Sequence, residues 1–390
     1  MMEERAHALL SASGAKRWMS CPPSARLEDN FAESKSEYAD EGSFAHTYAE
    51  LLLTSTLKLI TKKEFKKQAT LLMTDSFYSS ALEEYVQVYV TIVIERLSEA
   101  KKRSKDAVMF IEQKLDFSRW VTEGFGTGDA VIIADGILEI IDLKYGKGVP
   151  VSAESNPQLK LYGLGALDAF EMLYDVNTVR MTIVQPRLDS ISSESILVDD
   201  LYAWAESEVV PKAALAFAGE GDFCAGDHCR FCRAKAQCRK RAEANLELAK
   251  HDFAEPALLS DDEIADVLTK AEQLQSWAGD IQAYALDQAW NNGKKWPGWK
   301  LVEGRSNRAY TNREEVASVL LLEGYEEDKI YEPRAIKGVT AMEKEIGKKV
   351  FAEVLKDYIV KPAGRPTLVP ESDKRSEINS LQSAIDDFLE

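Results

Sequence analysis

The chain reads as a mixed α/β protein with a helical amino-terminal region and a smaller α+β domain at its carboxyl end. Three observations predict this. Apolar residues recur at helical spacing through the first hundred residues. Short β-branched runs bounded by turn residues crowd the stretch after them, and a helix with its own start signal opens a second region near Ser260.

In order, Glu41 to Leu57 and Ser79 to Lys102 carry the helical spacing. Val108 to Leu115, Gly128 to Ala134, Ile137 to Lys144 and Thr178 to Gln185 read as strands, with a helical pattern from Asn156 to Tyr174 between the last two. Three strands, a helix and a strand predict a mixed sheet. A further helix, Asp200 to Ala218, leads into a group of cysteines, and Lys250 to Pro256 reads as a linker. The expected domains are therefore 1–250 and 258–390. In the second, Ser260 and Glu263 form a capping box for a helix running to Asn291, and a strand-like Lys300 to Glu303 follows.

With 390 residues, 45% hydrophobic and 29% charged, the chain can bury a sizeable core. It contains no run of about 18 apolar residues, and its start, Met1-Met2-Glu3-Glu4-Arg5, lacks the basic-then-apolar order of a secretory signal. A cytoplasmic protein with no membrane partner is expected. The net charge of −17 argues against a general nucleic-acid coat, because such binding is driven by phosphate neutralisation. A local basic groove stays open: Lys62-Lys63 with Lys66-Lys67, Lys101-Lys102-Arg103 with Lys105, and Arg230 through Arg241 are basic clusters. Charge runs of this kind are commonly solvated helix faces. Only the third adjoins a site motif.

The chemistry concentrates in Gly128 to Lys144. Asp135-Gly136 between two apolar runs reads as a two-residue hairpin turn. Ala134 then faces Ile137, and counting outward sets Asp129 opposite Asp142. Facing residues have Cβ atoms roughly 4.5–5.5 Å apart, and like charges there destabilise a sheet. A divalent cation such as Mg²⁺ or Mn²⁺ would offset the repulsion. Lys144, two residues beyond Asp142, shares its face. The bland alternative is a surface hairpin with solvated acids.

Four of the five cysteines fall in Cys224-x4-Cys229-x2-Cys232-x5-Cys238, and the fifth, Cys21, sits in Trp18-Met-Ser-Cys21-Pro22-Pro23. Crowded thiols in a cytosolic chain point to metal or redox chemistry. Either Cys224, Cys229, Cys232 and Cys238 form a local Zn²⁺ knuckle, or Cys21 joins Cys229, Cys232 and Cys238 in a long-range site. Spacing does not choose between zinc and an iron–sulfur cluster.

Taken together, the motifs over residues 10 to 245 resemble the RecB-like branch of the PD-(D/E)XK nuclease superfamily. The likeness is to its iron–sulfur members, the CRISPR adaptation exonucleases and the AddB nuclease domain. Gly42-Ser-Phe-Ala-His46 matches a GxxxH element, Asp129 the first acidic motif, Asp142-Leu143-Lys144 the (D/E)XK element, and Gln158-Leu-Lys-Leu-Tyr162 a QxxxY motif. The whole chain also resembles an uncharacterised phage and prophage protein family.

The resemblance implies a restriction-endonuclease-like mixed-sheet core and a metal-dependent deoxyribonuclease, an exonuclease acting on DNA in phage recombination alongside other recombination proteins. His46, Asp129, Asp142 and the Leu143 carbonyl would hold Mg²⁺ or Mn²⁺. Lys144 would serve the attacking water, while Gln158 and Tyr162 would align the strand. Cys21, Cys229, Cys232 and Cys238 would hold a structural [4Fe–4S] cluster, a pattern from which Cys224 departs. Glu50, one turn after His46, is a weaker candidate beside the site.

Two rivals are a noncatalytic module that holds DNA or a partner on a nuclease fold, and a zinc-stabilised interaction protein. In the second domain, Trp296, Trp299, Arg305, Arg308, Tyr310, Lys361, Arg365, Lys374 and Arg375 mix aromatics with cations, as single-strand grooves do. Core tryptophans and surface charges would read the same way.

Overall fold

The computed structural model describes residues 8–31, 37–247 and 260–300, with isolated positions 318, 321, 322 and 347. It divides into two compact units, Met1–Asn292 and Gly293–Glu390. Residues 258–292, assigned above to the second domain, thus group with the first unit.

A five-stranded sheet in the order β1-β2-β3-β4-β5 is the frame of the first unit. Its strands are β1 (Val108–Asp116), β2 (Phe125–Ala134), β3 (Ile137–Leu143), β4 (Thr178–Gln185) and β5 (Ser190–Leu197). All neighbours are antiparallel except β3 and β4, which run parallel. A parallel step needs a crossover, and α6 (Pro157–Phe170) supplies it. Asn156 starts α6 by accepting from the Gln158 and Leu159 amides, with Pro157 at the first helical position.

Preceding the sheet are α1 (Ala15–Ser20), α2 (Ser24–Glu28), α3 (Glu37–Thr56), α4 (Lys62–Leu72) and α5 (Ser80–Arg103). After it come α7 (Val198–Trp204), a π turn (Ala205–Val209), α8 (Val210–Ala218), α9 (Arg239–Leu246) and α10 (Asp261–Asn292). The capping box expected at Ser260 forms: the Glu263 amide donates to Ser260 Oγ at 3.3 Å, and the Ser260 amide donates to Glu263 Oε2 at 2.8 Å.

Two cores cover the two faces of the sheet. On one, Leu115, Val131, Ile133, Leu138 and Ile140 pack with Leu159 and Tyr162 of α6 and with Trp18 of α1. On the other, Ala130, Ile132, Ile141 and Leu143 pack with Tyr48 of α3 and with Tyr89 and Val93 of α5. Alternate residues of β2 and β3 therefore serve opposite cores, as a period of two requires.

The β2–β3 hairpin has the expected register, with Ala134 against Ile137 and Ala130 against Ile141. Asp135 and Gly136 both have positive φ, 52° and 73°, as the primed turn demands. On β1 the alternation slips: Val108, Phe110 and Leu115 all join the α6-side core, and between them Glu112 has a left-handed φ of 47°.

α10 is tied to the first unit by Asp280, whose carboxylate meets Arg241 at 2.6 Å and Lys235 at 2.8 Å. In the second unit the Trp299 amide closes a turn onto the Trp296 carbonyl at 3.0 Å, and Lys294 Nζ lies 4.2 Å from the Trp296 ring centre. The expected strand beginning at Lys300 runs outside the described residues, as do Arg305, Arg308, Tyr310 and Lys361 to Arg375.

Gly136 also accepts the Asn177 and Thr178 amides on its carbonyl, and a Cβ there would lie 2.8 Å from Asn177 Nδ2. With its positive φ added, Gly136→Ala should destabilise the protein by about 1–2 kcal/mol. Urea unfolding of the two proteins measures this, and equal midpoints would contradict the strained turn.

Candidate metal centre

One further step along the hairpin register sets Asp129 of β2 against Asp142 of β3, on the face that α6 covers. Asp129 is 8% exposed and Asp142 2%. Burial of two facing carboxylates is costly without compensation, and each has its own. Asp129 Oδ1 lies 3.1 Å from His46 Nδ1, and Asp129 Oδ2 accepts the Leu143 amide at 2.6 Å. Asp142 Oδ2 lies 2.8 Å from Lys144 Nζ as an ion pair but accepts no aligned hydrogen bond. Asp142 Oδ1 accepts from Gln158 Nε2 at 3.4 Å, and the same amide reaches the Tyr162 hydroxyl at 3.3 Å.

Every element contributes for a local reason. α3 carries His46 beside Ala45 and Ala49, which are buried against the sheet. Lys144 is fixed just past β3 because its amide donates to the Val184 carbonyl at 2.9 Å. Tyr162 reaches the site over Gly126, where a Cβ would stand 2.6 Å from the Tyr162 ring. Residues of four elements or their ends thus converge, and His46, Asp129, Asp142, Leu143, Lys144, Gln158 and Tyr162 are brought together.

Two further acids behave differently. Glu50 is exposed on α3. Glu112 of β1, which the sequence reading passed over, is half-buried, and its carboxylate, His46 and Asp129 offer ligand atoms all within 4.8 Å of one another. An Ile-Glu-Gln-Lys stretch gives no signal that a glutamate will take a left-handed backbone.

The charges shape one another. Burial by itself would lower the His46 pKa, but the field and hydrogen bond of Asp129, helped by Asp142, outweigh it and raise the value to about 9. Burial and the charge of Asp129 push the Glu112 carboxyl up to about 7. Burial also raises Asp142, against the pull of the Lys144 ammonium. Burial keeps the Tyr162 phenol protonated far above its ordinary range. This donor set, one imidazole and three carboxylates, suits a divalent cation of the Mg²⁺ or Mn²⁺ kind.

Behind α6, Cys21, Cys224, Cys229, Cys232 and Cys238 line one cavity with Arg17, His228 and Arg241. Cys21, Cys229 and Cys232 are buried and Cys224 is exposed. The Cys224 amide donates to Cys21 Sγ at 3.4 Å, so this residue meets the site through its backbone. Among the described residues, no three of the sulfurs lie within 4.8 Å of one another. Burial pushes the Cys232 thiol up to about 12. Glu28 bridges the chain segments here, meeting Arg17 at 2.8 Å and the Arg233 amide at 2.7 Å.

Fold and site together define a mixed α/β protein with a buried histidine–carboxylate centre and a separate thiol-lined cavity. The chain belongs to the family described as a protein of unknown function (DUF2800), whose model matches residues 7–376. Among solved structures it is similar to SSO0001, at 15% identity over 62% of this chain and 89% of that one, with a TM-score of 0.26. It is also similar to a candidate exonuclease from Eubacterium rectale, at 16% identity over 57% of this chain and 86% of that one, with a TM-score of 0.31. At such values neither likeness bears on the chemistry. Among the described residues no helix is long and apolar enough to cross a membrane.

A pH dependence follows from the raised values, each of which means the folded state holds its proton more tightly than the unfolded one. The His46 contribution is complete below 6.5 and lost as pH rises through about 9. That of Glu112 is complete below 4.5 and lost through about 7. Chelator-treated protein should therefore lose thermal stability as pH rises across these windows, and His46→Ala should flatten the upper one. Melting curves taken across the range test this; a midpoint that rises with pH through the upper window contradicts the assignment.

Proposed function

We propose that this protein is a metal-dependent deoxyribonuclease, acting on DNA ends as an exonuclease, with a RecB-like PD-(D/E)XK core. The observation that carries the reading is the convergence of His46, Asp129 and the Asp142–Lys144 pair with Gln158 and Tyr162 at the end of one hairpin. His46, Asp129, Asp142 and the Leu143 carbonyl would hold Mg²⁺ or Mn²⁺, which would supply Lewis-acid polarisation of a phosphodiester and a lowered pKa for the attacking water.

The chain's own groups do the rest. Lys144, half-buried and anchored on Asp142, presents its ammonium to a water or a phosphoryl oxygen and offsets the negative charge that grows in the transition state. Gln158 fixes the Asp142 carboxylate from the opposite side. Tyr162, held protonated by burial, is a hydrogen-bond donor for a strand phosphate. The DNA substrate and phage recombination proteins as partners follow the family resemblance.

The thiol cavity is read as a structural [4Fe–4S] site of Cys21, Cys229, Cys232 and Cys238. Tetrahedral zinc at ~2.3 Å from each thiolate would bring sulfurs to ~3.8 Å of one another. The assignment of iron–sulfur rather than zinc rests on the family resemblance. Cys224 supports Cys21 with its amide and is itself exposed.

On end-labelled DNA with Mn²⁺, Asp142→Ala and Lys144→Ala should each cut cleavage by at least ~100-fold while leaving the fold intact. Full activity in either folded variant sinks the site. Anaerobically purified protein should be brown and contain iron. Cys21→Ala should lose both colour and iron and Cys224→Ala should retain them; stoichiometric zinc with no iron would reverse the assignment.

A further inference from the structure

The thiol cavity holds two polar groups that the cysteines do not account for. Ser24 is 3% exposed, and its hydroxyl is enclosed with no hydrogen-bond partner among the described residues. The Nε of Arg17 is enclosed in the same way. Both residues line the cavity together with Cys21, Cys229, Cys232 and Cys238. A buried donor without an acceptor costs free energy, so such groups are rare in folded proteins and mark a missing partner where they occur.

Each of the two is held in place by other bonds. Ser24 opens α2, and its amide donates to the Cys21 carbonyl at 2.9 Å, which fixes the residue one turn beyond that thiol. Its hydroxyl makes no bond back to the helix. Arg17 is fixed from the far end of its guanidinium: Nη2 meets Glu28 Oε2 at 2.8 Å, and Glu28 Oε1 accepts the Arg233 amide at 2.7 Å. That clamp leaves the inner N–H of Arg17 with nothing to donate to, and no cysteine sulfur satisfies either group.

What these donors lack is an acceptor lying among the thiols rather than a thiol itself. Zinc brings none, because its shell in such a site is the thiolates alone. An iron–sulfur core brings sulfide of its own, and hydrogen bonds to those sulfurs help to set its potential. We propose that Ser24 Oγ–H and Arg17 Nε–H donate to the inorganic sulfide of a cluster held by Cys21, Cys229, Cys232 and Cys238. They touch the bound group without ligating iron, seat it against α1 and α2, and favour its reduced, more negatively charged state. The inference rests on the iron–sulfur reading of the cavity and is independent of the metal centre on the hairpin.

The experiment uses anaerobically purified, loaded, full-length protein. Iron release to a ferrous chelator is followed by loss of colour, and the reduction potential is read by dye-mediated titration with EPR. Ser24→Ala and Arg17→Lys, which keeps the charge facing Glu28, should each release iron ~10-fold faster than wild type and have a lower potential. Ser24→Thr keeps the hydroxyl and should behave as wild type, which separates a lost donor from a disturbed helix start. Iron missing altogether from Ser24→Ala but present in Ser24→Thr is the same result in its extreme. Unchanged release and potential in Ser24→Ala or in Arg17→Lys, or a Ser24→Thr variant that fails as Ser24→Ala does, would overturn the inference, while brown, iron-containing wild type keeps the cluster reading. Colourless wild type carrying zinc would remove both.

Discussion

Two aspartates held face to face beneath a helix constrain everything around them. Once the hairpin turn fixes the register, Asp129 and Asp142 cannot move apart without breaking β2–β3 pairing, and neither can reach open water at 8% and 2% exposure. An uncompensated buried charge costs several kcal/mol. Positive charge must therefore come to them from elsewhere in the chain: His46 from α3 on one side and Lys144 from the end of β3 on the other. The helices that carry or cover these groups, α3 and α6, are also the ones that build the two hydrophobic cores. Packing and electrostatics thus select the same arrangement, which is the consistency expected of a sequence with one fold.

The same constraint explains what could be read in advance. Asp135-Gly136 carries its conformation in its residue types, and a two-residue loop leaves only one register, so the facing acids were legible from sequence. The capping box at Ser260 was equally local. Strand β5 was not legible. Ser190–Leu197 reads Ser-Ile-Ser-Ser-Glu-Ser-Ile-Leu, an edge strand whose buried face is thin, and only its pairing with β4 makes it a strand. Glu112 was hidden for a different reason: its placement depends on a left-handed residue in mid-strand, which no propensity anticipates. The break between units was hidden too, because the Asp280 ion pairs that hold α10 join residues some forty positions apart.

The spare acid changes how the centre is understood. With Asp129 and Asp142 alone, the site would be symmetrical about the hairpin, and one ion would sit between them. With Glu112 it is lopsided. One side gathers imidazole and two carboxylates, and the other holds a carboxylate already bound to an ammonium and an amide. Asp142 thus meets the Lys144 ammonium on the side away from His46, and its carboxylate keeps that ammonium in place.

The thiol cavity and this centre share the packing of α1 and α6. α1, which leads into Cys21, packs on α6, and Trp18 of α1 lies in the same core as Leu159 and Tyr162. Arg26 of α2 donates to the Phe217 carbonyl of α8 at 2.7 Å, and Glu28 ties Arg17 to the Arg233 amide, so the amino-terminal helices are stitched to the segment bearing Cys229 and Cys232. A group bound by thiols from both segments would close that seam. Its effect would be carried to Gln158 and Tyr162 through the seating of α6 rather than through electrons. A chain that loses the group but keeps the Glu28 bridges should accordingly lose order at α1 first and alignment of the α6 side chains second. The buried carboxylates, held by sheet pairing and by their own counter-charges, would be the last to shift.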